Sequence, residues 1–352
     1  MKFSLHIVIK YMLRSIPHVD TILSNFCTKL PNGSLCRQSV LKDKKVETSM
    51  SHETGMYEAI TASQEKLREM TSRMAPNTGR NLTAIQGLSL TRWNDTEQTD
   101  TCFYAPAIGI IIQGRKKSLI GSEELEYGEL DCLVNGVDMP SLSKILQATP
   151  EKPLFAVSLN IDRNLATELA AEIPLGPGLN QPHLGVSVTR VETDVLEAFV
   201  RLVELLDKPE QAPLRSSLLI REIITRILVS PQGPALRTLY TLGSHSNQVA
   251  EAITWLRDNY TQPLSVDALA GRVGMATSTF HRQFKKVTSI SPLQYQKCLR
   301  LYEARRLMLS EDMDANNAGR TVGYENIQQF NREYKRMFGE PPLRDIKRLR
   351  RE

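Results

Sequence analysis

Thr277-Ser278-Thr279-Phe280-His281-Arg282-Gln283-Phe284-Lys285-Lys286 is the stretch that decides the fold. Phe280 and Phe284 are four residues apart and share one face of a helix. Thr277, Ser278, His281, Arg282 and Lys285 fall on the other face, which is rich in hydrogen-bond donors and cations. Just upstream, Ala270-Gly271-Arg272-Val273-Gly274-Met275 reads as a short helix ending in a glycine turn. A helix, a tight turn and a second helix with a polar outer face make the helix-turn-helix pattern. Fifty residues on, Phe330-Asn331-Arg332-Glu333-Tyr334-Lys335-Arg336 repeats Phe280-His281-Arg282-Gln283-Phe284-Lys285-Lys286, and Pro342 repeats Pro292. Val273-Gly274 maps to Val322-Gly323 at an offset of 49, so the second unit has one more residue in its turn. A single basic helix reads most simply as a solvated face. Two in register, each behind a glycine turn, point to nucleic acid.

The charge distribution agrees. The 352 residues carry a net charge of +5. Residues 245–352 hold 18 Lys and Arg against 12 Asp and Glu, leaving 26 against 27 in the rest. The excess cations sit with the paired helices, as polyanion binding requires. The length allows two domains with real cores. No apolar run approaches the roughly 20 residues of a spanning helix, so no membrane partner is expected. Cys27, Cys36, Cys102, Cys132 and Cys298 show no Cys-x-x-Cys spacing and are odd in number, which fits a reducing cytoplasm. Cys102 and Cys132 read as buried inert thiols, with redox sensing as the sharper alternative.

In chain order, residues 1–55 read as an N-terminal extension that is disordered or weakly helical and adds little to the fold. Tyr57 to Met74 has helical apolar spacing and stops at Pro76-Asn77-Thr78-Gly79. From about Leu82 to Asp162, short β-branched runs are separated by Gly or Pro. Ala107-Ile108-Gly109-Ile110-Ile111-Ile112, broken by Gln113-Gly114-Arg115, is the clearest. Such spacing predicts a small sandwich or barrel. Pro174-Leu175-Gly176-Pro177-Gly178 reads as a turn-rich loop. Thr193–Leu206 and Leu214–Leu228 read as amphipathic helices that either pack on the barrel or build a two-fold dimer interface. The small polar run 241–247 reads as an interdomain linker. None of the six histidines lies between 82 and 162, which argues against a metal-dependent barrel enzyme, and no nucleophile elbow or phosphate loop appears. No catalytic residue, metal or cofactor is expected.

Residues from about 248 to 346 resemble the DNA-binding domain of AraC-type transcriptional regulators. The strings that carry the likeness are Phe280-His281-Arg282-Gln283-Phe284-Lys285, Ser291-Pro292-Leu293-Gln294-Tyr295, Leu299 to Leu307, Val322-Gly323-Tyr324-Glu325, and Gln329-Phe330-Asn331-Arg332-Glu333-Tyr334-Lys335. Phe338-Gly339-Glu340-Pro341-Pro342 closes the set. Ile85-Gln86-Gly87-Leu88-Ser89-Leu90, Ile112-Gln113-Gly114-Arg115-Lys116 and Ala148 to Leu154 resemble the N-terminal domain of the same regulators. The resemblance implies an α+β chain with a cupin-like β-barrel and helices at 56–240, a linker at 241–247, and an all-α domain with two helix-turn-helix motifs at 248–352. It further implies double-stranded DNA and an unknown small-molecule effector as partners, a homodimer, and RNA polymerase if the protein activates. A ligand-independent architectural DNA binder, or an enzyme fused to such a module, are the other classes to weigh.

Ser291-Pro292 starts a helix of about 18 residues, roughly 27 Å, which suits a spacer between two units that enter adjacent major grooves. In the first unit Ser278, His281 and Arg282 are expected at base edges, with Thr277 and Lys285 nearer phosphates. In the second, Asn326, Gln328, Gln329 and Arg332 are expected in the groove, with Lys335 or Arg336 toward the backbone. Phe280, Phe284, Phe330 and Tyr334 read as core anchors. The chain departs from the family pattern at Ala318-Gly319, where Ile-Ala is usual, and at Thr288-Ser289, where Thr-Gly is usual. Ser289 must therefore take over a left-handed cap, and the helix around 314–321 is expected to be the softest of the domain. A chain beginning at Met50 should fold and bind duplex DNA as the full chain does, checked by circular dichroism and gel shift.

Overall fold

The computed structural model describes residues 58–97, 99–173, 183–231 and 233–350. The N-terminal extension, Cys27, Cys36 and the Pro174–Gly178 loop lie outside these residues. Helix α1 spans 58–74 and stops before Pro76. Ten strands follow: β1 (Gly79–Leu82), β2 (Leu88–Trp93), β3 (Thr99–Tyr104), β4 (Ala107–Gln113), β5 (Arg115–Ile120), β6 (Glu123–Gly128), β7 (Asp131–Asn135), β8 (Met139–Gln147), β9 (Leu154–Asn160) and, after helix α2 (Arg163–Glu172), β10 (Val186–Arg190). They form two antiparallel sheets, β1-β2-β9-β4-β7-β10 and β3-β8-β5-β6. These are the two walls of the expected cupin-like barrel. The chain crosses from one wall to the other at Gly114, whose φ is 88°. A Cβ there would meet the Gln147 carbonyl oxygen at 2.6 Å, so only glycine turns this corner. The tenth strand lies beyond the region where the sequence predicted strands. It closes the large sheet by pairing with β7.

One face of the large sheet carries branched apolar residues, and the other mixes small and large side chains. Ile108, Ile110, Val157 and Leu159 are fully buried on one face. The alternate positions Ala107, Gly109, Ala156 and Ser158 face the small sheet and line a cavity of about 310 Å³.

Helices α3 (Thr193–Glu204) and α4 (Ala212–Val229) sit where the amphipathic patterns predicted them. Val195, Leu196, Phe199, Val200, Leu202 and Val203 are all buried within the chain, so α3 packs inward. On α4, Leu214 and Leu218 stay exposed. Helix α5 (Gly233–Tyr240) precedes a four-residue turn at 241–244, and α6 (His245–Asn259) begins inside the stretch read as linker. Ser244 caps α6 through the Asn247 N–H at 3.0 Å, and the buried Asn247 Nδ2 donates to the Leu239 carbonyl at 3.0 Å. The junction is therefore hydrogen-bonded structure. The C-terminal helices are α7 (Val266–Arg272), α8 (Thr277–Thr288), α9 (Pro292–Ser310), α10 (Ala315–Thr321), α11 (Ile327–Phe338) and α12 (Pro342–Leu349).

Barrel and helical module meet along β3, β8 and the end of α6. Tyr295 Oη donates to the Asp138 carbonyl at 2.6 Å and Tyr302 Oη to the Ser141 carbonyl at 2.9 Å. Phe103 packs edge-on between those tyrosines, with ring centroids 5.7 and 5.1 Å away. The Asp138 carboxylate pairs with Arg257 at 3.3 Å. Burial pushes the Asp138 carboxyl above its ordinary value, and Arg257 and Arg163 only partly offset this. A carboxyl with a raised folded-state pKa binds its proton more readily in the folded chain. Ionised Asp138 therefore weakens the fold at neutral pH, and this loss fades as pH falls toward the ordinary carboxylate range. Asp138→Asn should be as stable as the parent chain or more so at about pH 7, with the difference shrinking at about pH 5, measured by urea unfolding at both.

Candidate nucleic-acid interface

The repeat read in the sequence is a repeat in space. Helix α7, a turn at Gly274 (φ 69°) and α8 make the first unit; α10, a turn at Gly323 (φ 90°) and α11 make the second. Helices α8 and α11 have 12 residues each and end in left-handed caps, Ser289 (φ 62°) and Gly339 (φ 83°). Ser289 thus adopts the backbone expected of it. Phe280, Phe284, Phe330 and Tyr334 are 0% exposed and form the hydrophobic side of each helix. Phe280 packs at a tilt on Phe284 with ring centroids 5.5 Å apart, and Phe330 edge-on against Tyr334 at 5.6 Å.

Both units fasten to α9. Its capping box joins Ser291 and Gln294, Pro292 stands in its first turn, and its 19 residues span about 28 Å. Phe284 meets Tyr295 near its start at 5.6 Å, and Phe338 meets Tyr302 nearly two turns further on at 5.5 Å. Arg305 makes a buried bidentate pair with Asp345 of α12 at 2.8 and 2.9 Å, and Tyr334 Oη donates to the same carboxylate at 2.8 Å. Arg300 donates to the carbonyls of Tyr260, Thr261 and Gln262 at the end of α6, and to the Gly323 carbonyl in the second turn at 2.9 Å. Burial draws the Arg300 guanidinium below its ordinary pKa, while the nearby Glu333 and Glu325 favour its charge. One guanidinium thus joins α6, α9 and the second helix-turn-helix. Gly323 is needed there twice over, for its positive φ and because a Cβ would meet the Thr261 carbonyl oxygen at 2.3 Å.

On the polar faces the residues singled out from sequence separate into two groups. Ser278, His281, Arg282 and Lys285 of α8 are exposed, as are Gln328, Arg332, Lys335 and Arg336 of α11. Three others make hydrogen bonds within the protein. Thr277 Oγ1 donates to Asp267 at 2.7 Å, bracing α8 on α7. Asn326 caps α11, its Oδ1 accepting from the Gln328 and Gln329 N–H groups at 2.9 and 3.1 Å. Gln329 Nε2 donates to Glu333 at 3.1 Å. Glu333, which sequence reasoning passed over, also accepts from Lys297 and from Tyr324 Oη, each at 2.8 Å. These contacts hold its carboxyl below its ordinary pKa against the effect of burial. Helix α10, expected to be soft, is capped by Asp314, and Gly319 is buried where a Cβ would lie 3.0 Å from the Phe330 ring. The missing side chain lets the second recognition helix approach closely.

The barrel holds the far end of α8. The Gly185 N–H donates to the Val287 carbonyl at 2.8 Å, and the Ser122 N–H to Ser289 Oγ at 2.7 Å. The serine that replaces the usual glycine therefore supplies an acceptor to the β5–β6 turn. Arg336 of α11 lines a cleft of about 430 Å³ shared with Leu119 and Leu142 of the barrel.

Two family models match the chain: the AraC-type transcriptional regulator N-terminus over residues 84–235, and a helix-turn-helix domain over 269–348. The HTH-type transcriptional activator RhaS of Pectobacterium carotovorum is 28% identical over 179 residues, covering 50% of this chain and 62% of the relative. RhaS of Escherichia fergusonii is 27% identical over 216 residues, covering 60% and 71%. The chain thus matches less than two thirds of the length of the first of these and slightly more of the second. Among solved structures, an apo form of a ToxT variant from Vibrio cholerae shares the fold with a TM-score of 0.50 at 9% identity, over 76% of this chain and 98% of that one. Arg300→Met should unfold the second helix-turn-helix preferentially, by about 2–3 kcal/mol for the lost charge-assisted bonds. Hydrogen exchange along 315–338 compared with 266–288 checks this.

Proposed function

The chain belongs to the AraC-type transcriptional regulators, and we propose that it binds duplex DNA sequence-specifically through α8 and α11 under the control of a small molecule held in the barrel. The observation that carries this reading is the duplicated recognition helix. Each copy sets exposed cations over a buried aromatic base, and both copies are fixed to one helix whose length suits successive major grooves. Ser278, His281 and Arg282 read base edges in the first unit, and Gln328 and Arg332 in the second. Lys285, Lys335 and Arg336 contact phosphates. Thr277, Asn326 and Gln329 also shape the helices, through hydrogen bonds made within the protein.

Control passes through the barrel's hold on α8 and α9. A ligand that favours one arrangement of those contacts shifts the population of the DNA-competent form. The regulator works in the cytoplasm. Among the described residues no helix is long and apolar enough to cross a membrane, and no group of three or more His, Cys, Asp or Glu is placed to hold a metal ion. Leu214 and Leu218, exposed one turn apart on α4, supply an apolar face for a homodimer. Its role is regulatory and not enzymatic, with RNA polymerase as a further partner if it activates.

Arg332→Ala should relax sequence preference at one half-site by about 1–3 kcal/mol while the fold remains intact. Lys335→Ala should weaken all sequences alike and lower the salt slope by about one. Selection of bound duplexes, followed by affinity measurements across a salt series, distinguishes the two roles.

A further inference from the structure

Glu333 is the one acidic residue of α11, the second recognition helix. A carboxylate beside the phosphates of a duplex weakens binding by like-charge repulsion, so its place there calls for a local use. Its Oε1 accepts from Lys297 Nζ of α9 at 2.8 Å and from Gln329 Nε2 at 3.1 Å, and its Oε2 accepts from Tyr324 Oη at 2.8 Å. The group is thus held from α9, from the turn before α11, and from one turn back on α11 itself. It cannot swing away from Gln329 without also leaving Lys297 and Tyr324.

Gln329 lies in the first turn of α11, the part of a recognition helix that meets base edges. It stands about 60° around the helix from Arg332. Its amide has a donor end and an acceptor end, and a free glutamine turns either one toward a base by rotating its last side-chain bond. An ionised carboxylate has no hydrogen to offer, so only the NH2 end can face Glu333. Oε1 is thereby turned away from Glu333, and among the described residues it meets no donor. The first unit has no counterpart: fifty residues earlier, Thr279 and Gln283 stand where Gln329 and Glu333 do.

We propose that Glu333 is a positioning residue for sequence recognition. It locks the Gln329 amide with its oxygen outward, so that the second unit selects a base bearing an exocyclic amine over one bearing a keto oxygen. In the major groove adenine N6 and cytosine N4 are donors, whereas guanine O6 and thymine O4 are acceptors. The fixed Oε1 pairs with the first two and is set against the oxygens of the others. Adenine ranks first, because the second N–H of the amide suits its N7. Lys297 and Tyr324 hold the lock from outside the helix. The proposal rests on the DNA-binding reading above and names what one position of its site contains.

The test uses the full chain and duplexes built on its selected site, with every base pair of the second half-site replaced in turn. Gln329→Ala marks the position that Gln329 reads, as the one whose preference it erases. There the parent chain should favour adenine, then cytosine, over guanine and thymine by about tenfold. Glu333→Gln keeps the side chain's size and an oxygen for Lys297 and Tyr324, but lets the Gln329 amide face either way. The spread among the four bases should then shrink to about twofold, while preferences in the first half-site stay as they were. Made on top of Gln329→Ala, the same substitution should change no base preference. The proposal is overturned if Glu333→Gln leaves the spread intact, if it shifts all duplexes by one common factor, if it alters base preference equally with and without Gln329, or if no position depends on Gln329. A chain that selects no duplex at all removes the regulator reading itself.

Discussion

One helix sets the geometry of everything C-terminal to the barrel. Helix α9 is the only element that touches both recognition units and the barrel among the contacts described above. Its tyrosines at 295 and 302 are nearly two turns apart and so present one side to Phe103 and the carbonyls of Asp138 and Ser141. The same two tyrosines receive Phe284 from one unit and Phe338 from the other, and Arg305 pairs with Asp345 at the second unit's base. Because an α-helix resists bending where no proline or inserted polar group interrupts it, the separation of the two recognition helices is a property of its length and not of flexible loops.

The fastening of the second unit differs in kind from that of the first. The first unit is held mainly by packed rings. The second adds a buried ion pair between Arg305 and Asp345, with Tyr334 and Arg348 on the same carboxylate. Such a pair contributes little net stability, because desolvating both charges costs nearly what their attraction returns. Removing one partner, however, costs about 3–5 kcal/mol. Its effect is to fix direction: a bidentate fork accepts one orientation of α12 on α9. Arg300 does the same for the second turn. The second recognition helix is therefore positioned by hydrogen bonds of defined angle, with its aromatic residues filling the space between.

These polar fasteners are also where the sequence was least informative. The aromatic anchors were legible because their spacing recurs with the helical period, and the left-handed cap at Ser289 followed from the position it occupies in a repeated pattern. Arg300, Glu333 and Asp345 carry no such signature. A charged residue on a helix reads as solvated until its partner is known, and the partners of Arg300 and Arg305 lie 23 to 40 residues away. The capping role of Asn326 was not legible either: an amide at the start of a helix is equally suited to capping and to reading a base, and its two short N–H contacts show that its Oδ1 caps. The strand at Val186–Arg190 was missed because it follows a helix and a turn-rich stretch, where strand pairing depends on an open edge of β7 that local spacing does not disclose. The barrel itself was readable as a series of short β-branched runs, but which side chains share a face emerged only once register set Ala107 against Asn160, Gly109 against Ser158 and Ile111 against Ala156.

The seat of Ser289 bears on how such proteins are recombined. The β5–β6 turn fits so closely that a Cβ on Gly121 would come within 2.2 Å of the Ser289 hydroxyl oxygen. Sensor and output halves are therefore not interchangeable parts. A chimera that grafts this C-terminal half onto a foreign sensor must bring the Gly121-Ser122 turn with it. Otherwise it inherits a serine in a strained backbone conformation without the contact that uses its hydroxyl.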